Sequence, residues 1–140
     1  MGVSRVCAGV VAIASAAMLL TGCSVGEPPE FDREQAAQDE LPVPTSAEDW
    51  SIDPDTSRYA GAAEGYDLYI GHPADMDGIC LVMIEASTEA WESTSCGAGD
   101  GVGTKLPSGT GVEVGNFRFP DGTGRIQLSE SVAIVTTTGD

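Results

Sequence analysis

The chain is poor in positive charge. Its 140 residues hold 6 lysines and arginines against 22 aspartates and glutamates, a formal net charge of −16, and Lys105 is the single lysine. Such a surface repels a phosphate backbone, so nucleic acid is not an expected partner. It repels anionic lipid headgroups as well, which leaves hydrophobic or covalent means for any attachment to a membrane. Histidine occurs once, as His72. A lone His in "GHP" reads as a turn residue, and there is no G-x-S-x-G elbow or S-x-x-K to supply an activated serine. Glycine is plentiful in "GAGDGVGTKLPSGTGVEVG" (97–115), but neither G-x-G-x-x-G nor GK[ST] is present, so no phosphate-binding loop is expected.

Long apolar runs are also scarce. The one of note, Val6 to Leu20, holds 15 residues, follows Arg5 and precedes Cys23. Its length suits the apolar core of a secretory signal and falls short of the roughly 20 residues a spanning helix needs. An A-x-A cut at Ala12/Ala14 or Ala14/Ala16 would fall inside the run. The start "MGVSRV" has Val6 where a myristoylation signal needs Ser or Thr.

The order Leu20, Thr21, Gly22, Cys23 closes the run and resembles the lipobox of bacterial lipoproteins. That resemblance implies a diacylglycerol on the Cys23 thiol, cleavage before Cys23 with Leu20, Thr21 and Gly22 as the recognition residues, and often acylation of the new amino terminus. Small Thr21 and Gly22 let the backbone enter a narrow peptidase site. Two or three acyl chains, at about 0.8 kcal/mol per buried CH₂, hold a protein on a membrane where one chain would not. Residues 1–22 contain Arg5 and no acid, so their removal leaves 22 acids against 5 bases on 118 residues, a charge of −17.

Four cysteines are present. Cys7 leaves with the leader and Cys23 carries lipid, so Cys80 and Cys96 remain as an even pair in an exported domain, which reads as one disulfide. The apolar run Cys80 to Ala86, the turn "STE" (Ser87 to Glu89) and the run Trp91 to Cys96 form a hairpin. Centred on Thr88, it sets Ala86 opposite Ala90, Val82 opposite Thr94 and Cys80 opposite Cys96. A redox role does not fit the spacing, and two thiols with one imidazole leave a zinc site incomplete.

Residues 23–50 read as an acidic stalk, with four prolines after Ser24 and many carboxylates. Within it "FDREQAAQDEL" can form a short helix from Asp32 to Leu41, docking through Phe31 and Leu41, or remain a solvated tether. Residues 51–140 read as the folded domain. "GYDLYIGH" sets Tyr66, Leu68 and Ile70 on one face of a strand with Asp67 and Tyr69 on the other. "PADMDG" is a turn, and "ICLVMI" is apolar on both faces, as a central strand requires. The passage after Cys96 reads mostly as loop. In "VEVGNFRF" the phase changes between Val112/Val114 and Phe117/Phe119, which calls for a bulge at Gly115/Asn116. "PDGTG" is another turn. "RIQLSESVAIVTT" keeps Ile126, Leu128, Val132 and Ile134 in register. The expected fold is mainly β: a small antiparallel meander or half-barrel of five to six short strands with one disulfide, behind a signal helix and an acidic tether.

Asp75 and Asp77 in "DMDG", with Asp53 and Asp55 in "DPD", are the weak candidates for a divalent cation; the twelve-residue calcium loop pattern is absent. Any two of 22 acids could form a glycosidase-type pair, so abundance carries no information there. "LPSGTG" has one residue too many for a sortase signal and lacks the apolar tail.

Beyond the leader, the order of features is similar to small actinobacterial lipoproteins of unknown function: "DELP" (Asp39 to Pro42), "DPDTSR" (Asp53 to Arg58), "CLV" (Cys80 to Val82), a W-to-C strand (Trp91 to Cys96) and "PDG" (Pro120 to Gly122). It runs loosely from about residue 30 to 122. The Gly-rich segment after Cys96 departs from it, since the family leads one to expect a short helix there. The resemblance implies an architecture and a disulfide, and supplies no catalytic residue. The expectation is thus a non-enzymatic, lipid-anchored domain without cofactor, on the outer side of the cell membrane, binding or modulating an envelope protein. A calcium-binding protein and an envelope hydrolase with an unrecognised carboxylate pair are the alternatives.

Overall fold

The computed structural model describes residues 27–44, 51–99, 101–115 and 124–136. They form two antiparallel four-stranded sheets. The first is a meander of β1 (Arg58–Ala63), β2 (Tyr66–Gly71), β3 (Ile79–Glu85) and β4 (Ala90–Gly97), paired in chain order. The second contains β5 (Gly101–Lys105), β6 (Gly111–Gly115), β7 (Gly124–Gln127) and β8 (Val132–Thr136), in the order β5-β6-β8-β7.

The meander follows the alternation in the sequence. Leu68 and Ile70 on β2, with Ile79, Leu81 and Met83 on β3, point toward the second sheet and meet Val102, Val112, Val114 and Val132. The intervening residues Tyr69, Cys80, Val82 and Ile84 face the other way and build a second cluster with Ile52, joined by Leu41, Tyr59 and Trp91. β3 is therefore buried on both faces, which explains why "ICLVMI" shows no alternation. A small domain that must cover a sheet on two sides needs material beyond its eight strands, and the segment before β1 supplies it.

Three features differ from the sequence expectations. The glycine-rich passage contains a strand, β5, because Val102 and Thr104 pair with Val114 and Val112 while glycines occupy alternate positions. The run "RIQLSESVAIVTT" folds back on itself: Ile126 pairs with Ile134, and the turn is closed by the Leu128 N–H donating to Val132 O at 2.9 Å. Its apolar residues keep even numbers across the turn, so phase alone does not reveal the fold-back. In the β3–β4 hairpin, Cys80 faces Cys96 and Val82 faces Thr94 as expected, but a register shift after Met83 sets Glu85, not Ala86, opposite Ala90. Asn116, Phe117, Phe119 and the "PDG" turn (Pro120 to Gly122) lie outside the described residues.

Cys80 and Cys96 form a disulfide with Cα atoms 4.0 Å apart. It ties the mouth of the hairpin at the point where Gly78, at φ 149°, approaches Gly97 so closely that a Cβ would run into the Gly97 carbonyl. Cys80 is fully buried. Cross-linking residues 16 apart in sequence removes freedom from the unfolded chain worth about 3 kcal/mol. Reduction, or replacement of both cysteines by serine, is expected to lower unfolding free energy by about that amount, read from urea denaturation. An unchanged midpoint would contradict this assignment of stability.

Candidate functional site: the strap across the first sheet

Residues 27–44 do not hang free of the body. They cross from the second sheet, past the edge strand β1, over the outer face of the first sheet to β4. Of the two alternatives for this segment, the helix from Asp32 to Leu41 does not form, and residues 27–44 are not a free tether either. Two short 3₁₀ turns, Pro29–Asp32 and Ala37–Asp39, flank an extended stretch with Arg33 at φ −98°, ψ 153° and Ala36 at φ −108°, ψ 170°. An isolated ten-residue helix is marginal in water. Here the extended backbone also frees the Arg33 carbonyl, which accepts from Arg58 Nε at 3.1 Å and Nη2 at 2.7 Å.

Asp39 is the centre of this arrangement and is fully buried. Its Oδ1 accepts from the backbone N–H of Tyr59 on the edge of β1 at 2.8 Å and from Arg33 Nη2 at 2.7 Å. Its Oδ2 accepts from the Ala36 N–H at 2.8 Å and from Arg33 Nη1. The Arg33 guanidinium, aided by the Ala36 and Tyr59 amides, outweighs the cost of burial and holds the Asp39 carboxyl well below the usual carboxylate range. Ser57 Oγ donates to the Asp39 carbonyl at 2.6 Å and accepts from Gln35 Nε2 at 2.9 Å. Past Asp39, Leu41 packs on the outer cluster and the Pro42 carbonyl accepts from Trp91 Nε1 at 2.9 Å.

Glu30 secures the other end of the strap. It accepts from the Ser131 N–H at 3.0 Å, from Ser131 Oγ at 2.8 Å and from Ser129 Oγ, all in the β7–β8 turn. Burial alone would push its carboxyl up; the hydroxyl and amide donors more than offset that and leave it below the ordinary glutamate value. Next to it the Phe31 ring stacks on His72 with centroids 4.2 Å apart. His72 Nε2 lies 3.2 Å from Glu27 Oε1, and its Nδ1 lies 3.2 Å from the Gly78 carbonyl. Both ring nitrogens thus face groups of the fold, and among the described residues no hydroxyl or thiol nucleophile contacts the ring.

The remaining candidates fall as follows. Asp75 and Asp77 are exposed in the His72–Gly78 loop, and among the described residues no three His, Cys, Asp or Glu side chains converge as a metal site. Asp53 accepts from the Asp55 N–H at 3.1 Å, a local turn contact. Glu113, which the sequence reading did not single out, is buried on β6 and receives Arg125 Nε at 2.7 Å and Nη2 at 2.9 Å from β7, across β8. Alternation in "VEV" places it opposite Val112 and Val114, so only its burial was hidden. Cys23 and the lipobox residues Leu20, Thr21 and Gly22 lie outside the described residues. Among the described residues no helix is long and apolar enough to cross a membrane. No protein-family model, curated protein or solved structure matches the chain.

Replacing Asp39 by Asn removes the ionic partner of Arg33 and half of the acceptor capacity at a buried site. The expected cost at neutral pH is about 2 kcal/mol of unfolding free energy. Because the folded-state pKa of Asp39 is depressed, its contribution is complete above the unfolded value of about 4 and is lost as pH falls toward the folded one. The gap between the parent protein and Asp39→Asn should therefore shrink on acidification below about pH 4. Urea unfolding at neutral and acidic pH checks this, and a gap independent of pH would contradict it.

Proposed function

We propose that this chain is a lipid-anchored extracytoplasmic protein whose folded domain binds or modulates an envelope protein and carries out no catalysis. The single observation that carries the reading is the order Leu20-Thr21-Gly22-Cys23 at the end of a 15-residue apolar run. The oxidised Cys80–Cys96 pair is in keeping with export, since such bridges persist outside the reducing cytoplasm. The large excess of acids is in keeping with attachment by acyl chains, because it offers no attraction to anionic headgroups.

The non-catalytic half of the proposal rests on how the buried acids are used. Asp39 serves backbone amides and Arg33, Glu30 serves two serines, and Glu113 receives Arg125. Each of these three carboxylates thus holds parts of the fold together. No observation raises the calcium-binding or hydrolase alternatives above this reading.

Replacing Cys23 by Ser is expected to block acylation and to leave the leader uncut, so that the variant accumulates as a precursor that keeps residues 1–22 and carries no acyl chain. Mass spectrometry of the parent protein's amino-terminal peptide should then show a mature start at Cys23 bearing acyl chains. An unmodified Cys23 in the parent protein, or a Cys23→Ser variant processed like the parent, would contradict the anchor.

A further inference from the structure

We infer that the end of the domain bearing the His72–Gly78 loop is held against the bilayer, and that the end bearing the β3–β4 turn points away from it. This orientation rests on the lipidation of Cys23 proposed above. The chain is already fixed to the body by Glu27 to Phe31: Glu27 Oε1 lies 3.2 Å from His72 Nε2, the Phe31 ring stacks on His72, and Glu30 is buried against Ser129 and Ser131. Only four residue steps separate Cys23 from Glu27, a reach of at most about 14 Å when fully extended.

The domain is longer than that tether. β3, seven residues from Ile79 to Glu85, runs from the His72–Gly78 loop to the turn at 86–89, which separates the two ends by roughly 20 Å. A lipid on Cys23 therefore keeps the His72 end beside the membrane plane, while the far end has no comparable constraint. The nearby loop does not adhere on its own account. Asp75 and Asp77 are exposed there, and no lysine or arginine occurs between Arg58 and Lys105. Anionic headgroups repel such a surface, so the short tether and not adhesion of the loop keeps this end near the membrane. The outward end then presents the exposed turn at 86–89 together with Glu64, whose carboxylate accepts from Thr110 Oγ1 at 2.8 Å and from Ser108 Oγ and so clips the β1–β2 turn to the β5–β6 turn.

The test uses the full-length lipidated protein, purified from membranes and reconstituted in phosphatidylcholine vesicles carrying an acceptor dye on the headgroup. A donor dye is attached at Met76→Cys or at Ser87→Cys, both in exposed turns, with the native disulfide kept oxidised. Energy transfer should be roughly twofold or more greater from position 76 than from 87, as a separation of about 20 Å between the ends requires. Inserting about 15 Gly and Ser residues between Val25 and Gly26 gives the tether a span comparable to the domain and should abolish the difference. Equal transfer from the two positions in membrane-bound protein, or greater transfer from 87, would overturn the orientation. A difference that survives the insertion would overturn the tether as its cause. Protein left in the supernatant with no transfer from either position would overturn the lipidation itself.

Discussion

The rest of the structure depends on one buried carboxylate. Asp39 accepts four hydrogen bonds, two from Arg33 and one each from the Ala36 and Tyr59 amides. Through Tyr59 it satisfies the edge of β1, and through Ala36 and Arg33 it fixes the turn of its own segment. Without it the strap loses the central tie to the first sheet, between the Glu30 contacts at one end and the Trp91–Pro42 contact at the other. The outer cluster around Tyr69, Val82 and Ile84 would then lose Leu41 from its cover, and apolar surface on β3 would meet water.

Scarcity of cations shapes how the other acids are accommodated. With few bases available, other carboxylates are met by hydroxyls and amides: buried Glu30 by Ser129 and Ser131, exposed Glu64 by Ser108 and Thr110, half-buried Glu85 by Thr88. The Glu30 contacts join the strap to a turn and the Glu64 contacts join one turn to another, so both brace the ends of the sheets, while Glu85–Thr88 closes a single turn. Arginine is kept for the two deeply buried acids, Asp39 and Glu113, where a charge without a partner would cost most. Arg58, itself buried, caps the carbonyls of Arg33, Thr56 and Ser57 and thereby locks the strap to the start of β1.

Much of the meander was legible in the sequence, because alternation and cysteine spacing are local signals. Leu68 and Ile70 fell on one face and Tyr69 on the other, "ICLVMI" read as a strand covered on both sides, and Cys80 was set opposite Cys96. The second sheet was harder. In β5 glycines stand where side chains would mark the outward face, and in β7–β8 the turn at Leu128 to Ser131 preserves the apolar phase that a single strand would show. The strap was least legible. Its acids and prolines have the composition of a solvated tether, and what orders it is the meeting of Asp39, the Arg33 carbonyl and Glu30 with donors 20 to 101 residues away. Composition registers the charge of a residue and not the donors it will find.

A strap that is an integral layer of the domain must open only when the domain opens. Native-state hydrogen exchange on the Tyr59 amide, which donates to Asp39, tests this most directly, with the Val82 amide at the centre of the first sheet as the internal standard. The Tyr59 amide should exchange with an opening free energy close to that of Val82 and should respond to added urea with a similar slope. Rapid exchange of Tyr59 with no urea dependence, beside a protected Val82, would show a strap that detaches on its own and would contradict its role as part of the fold.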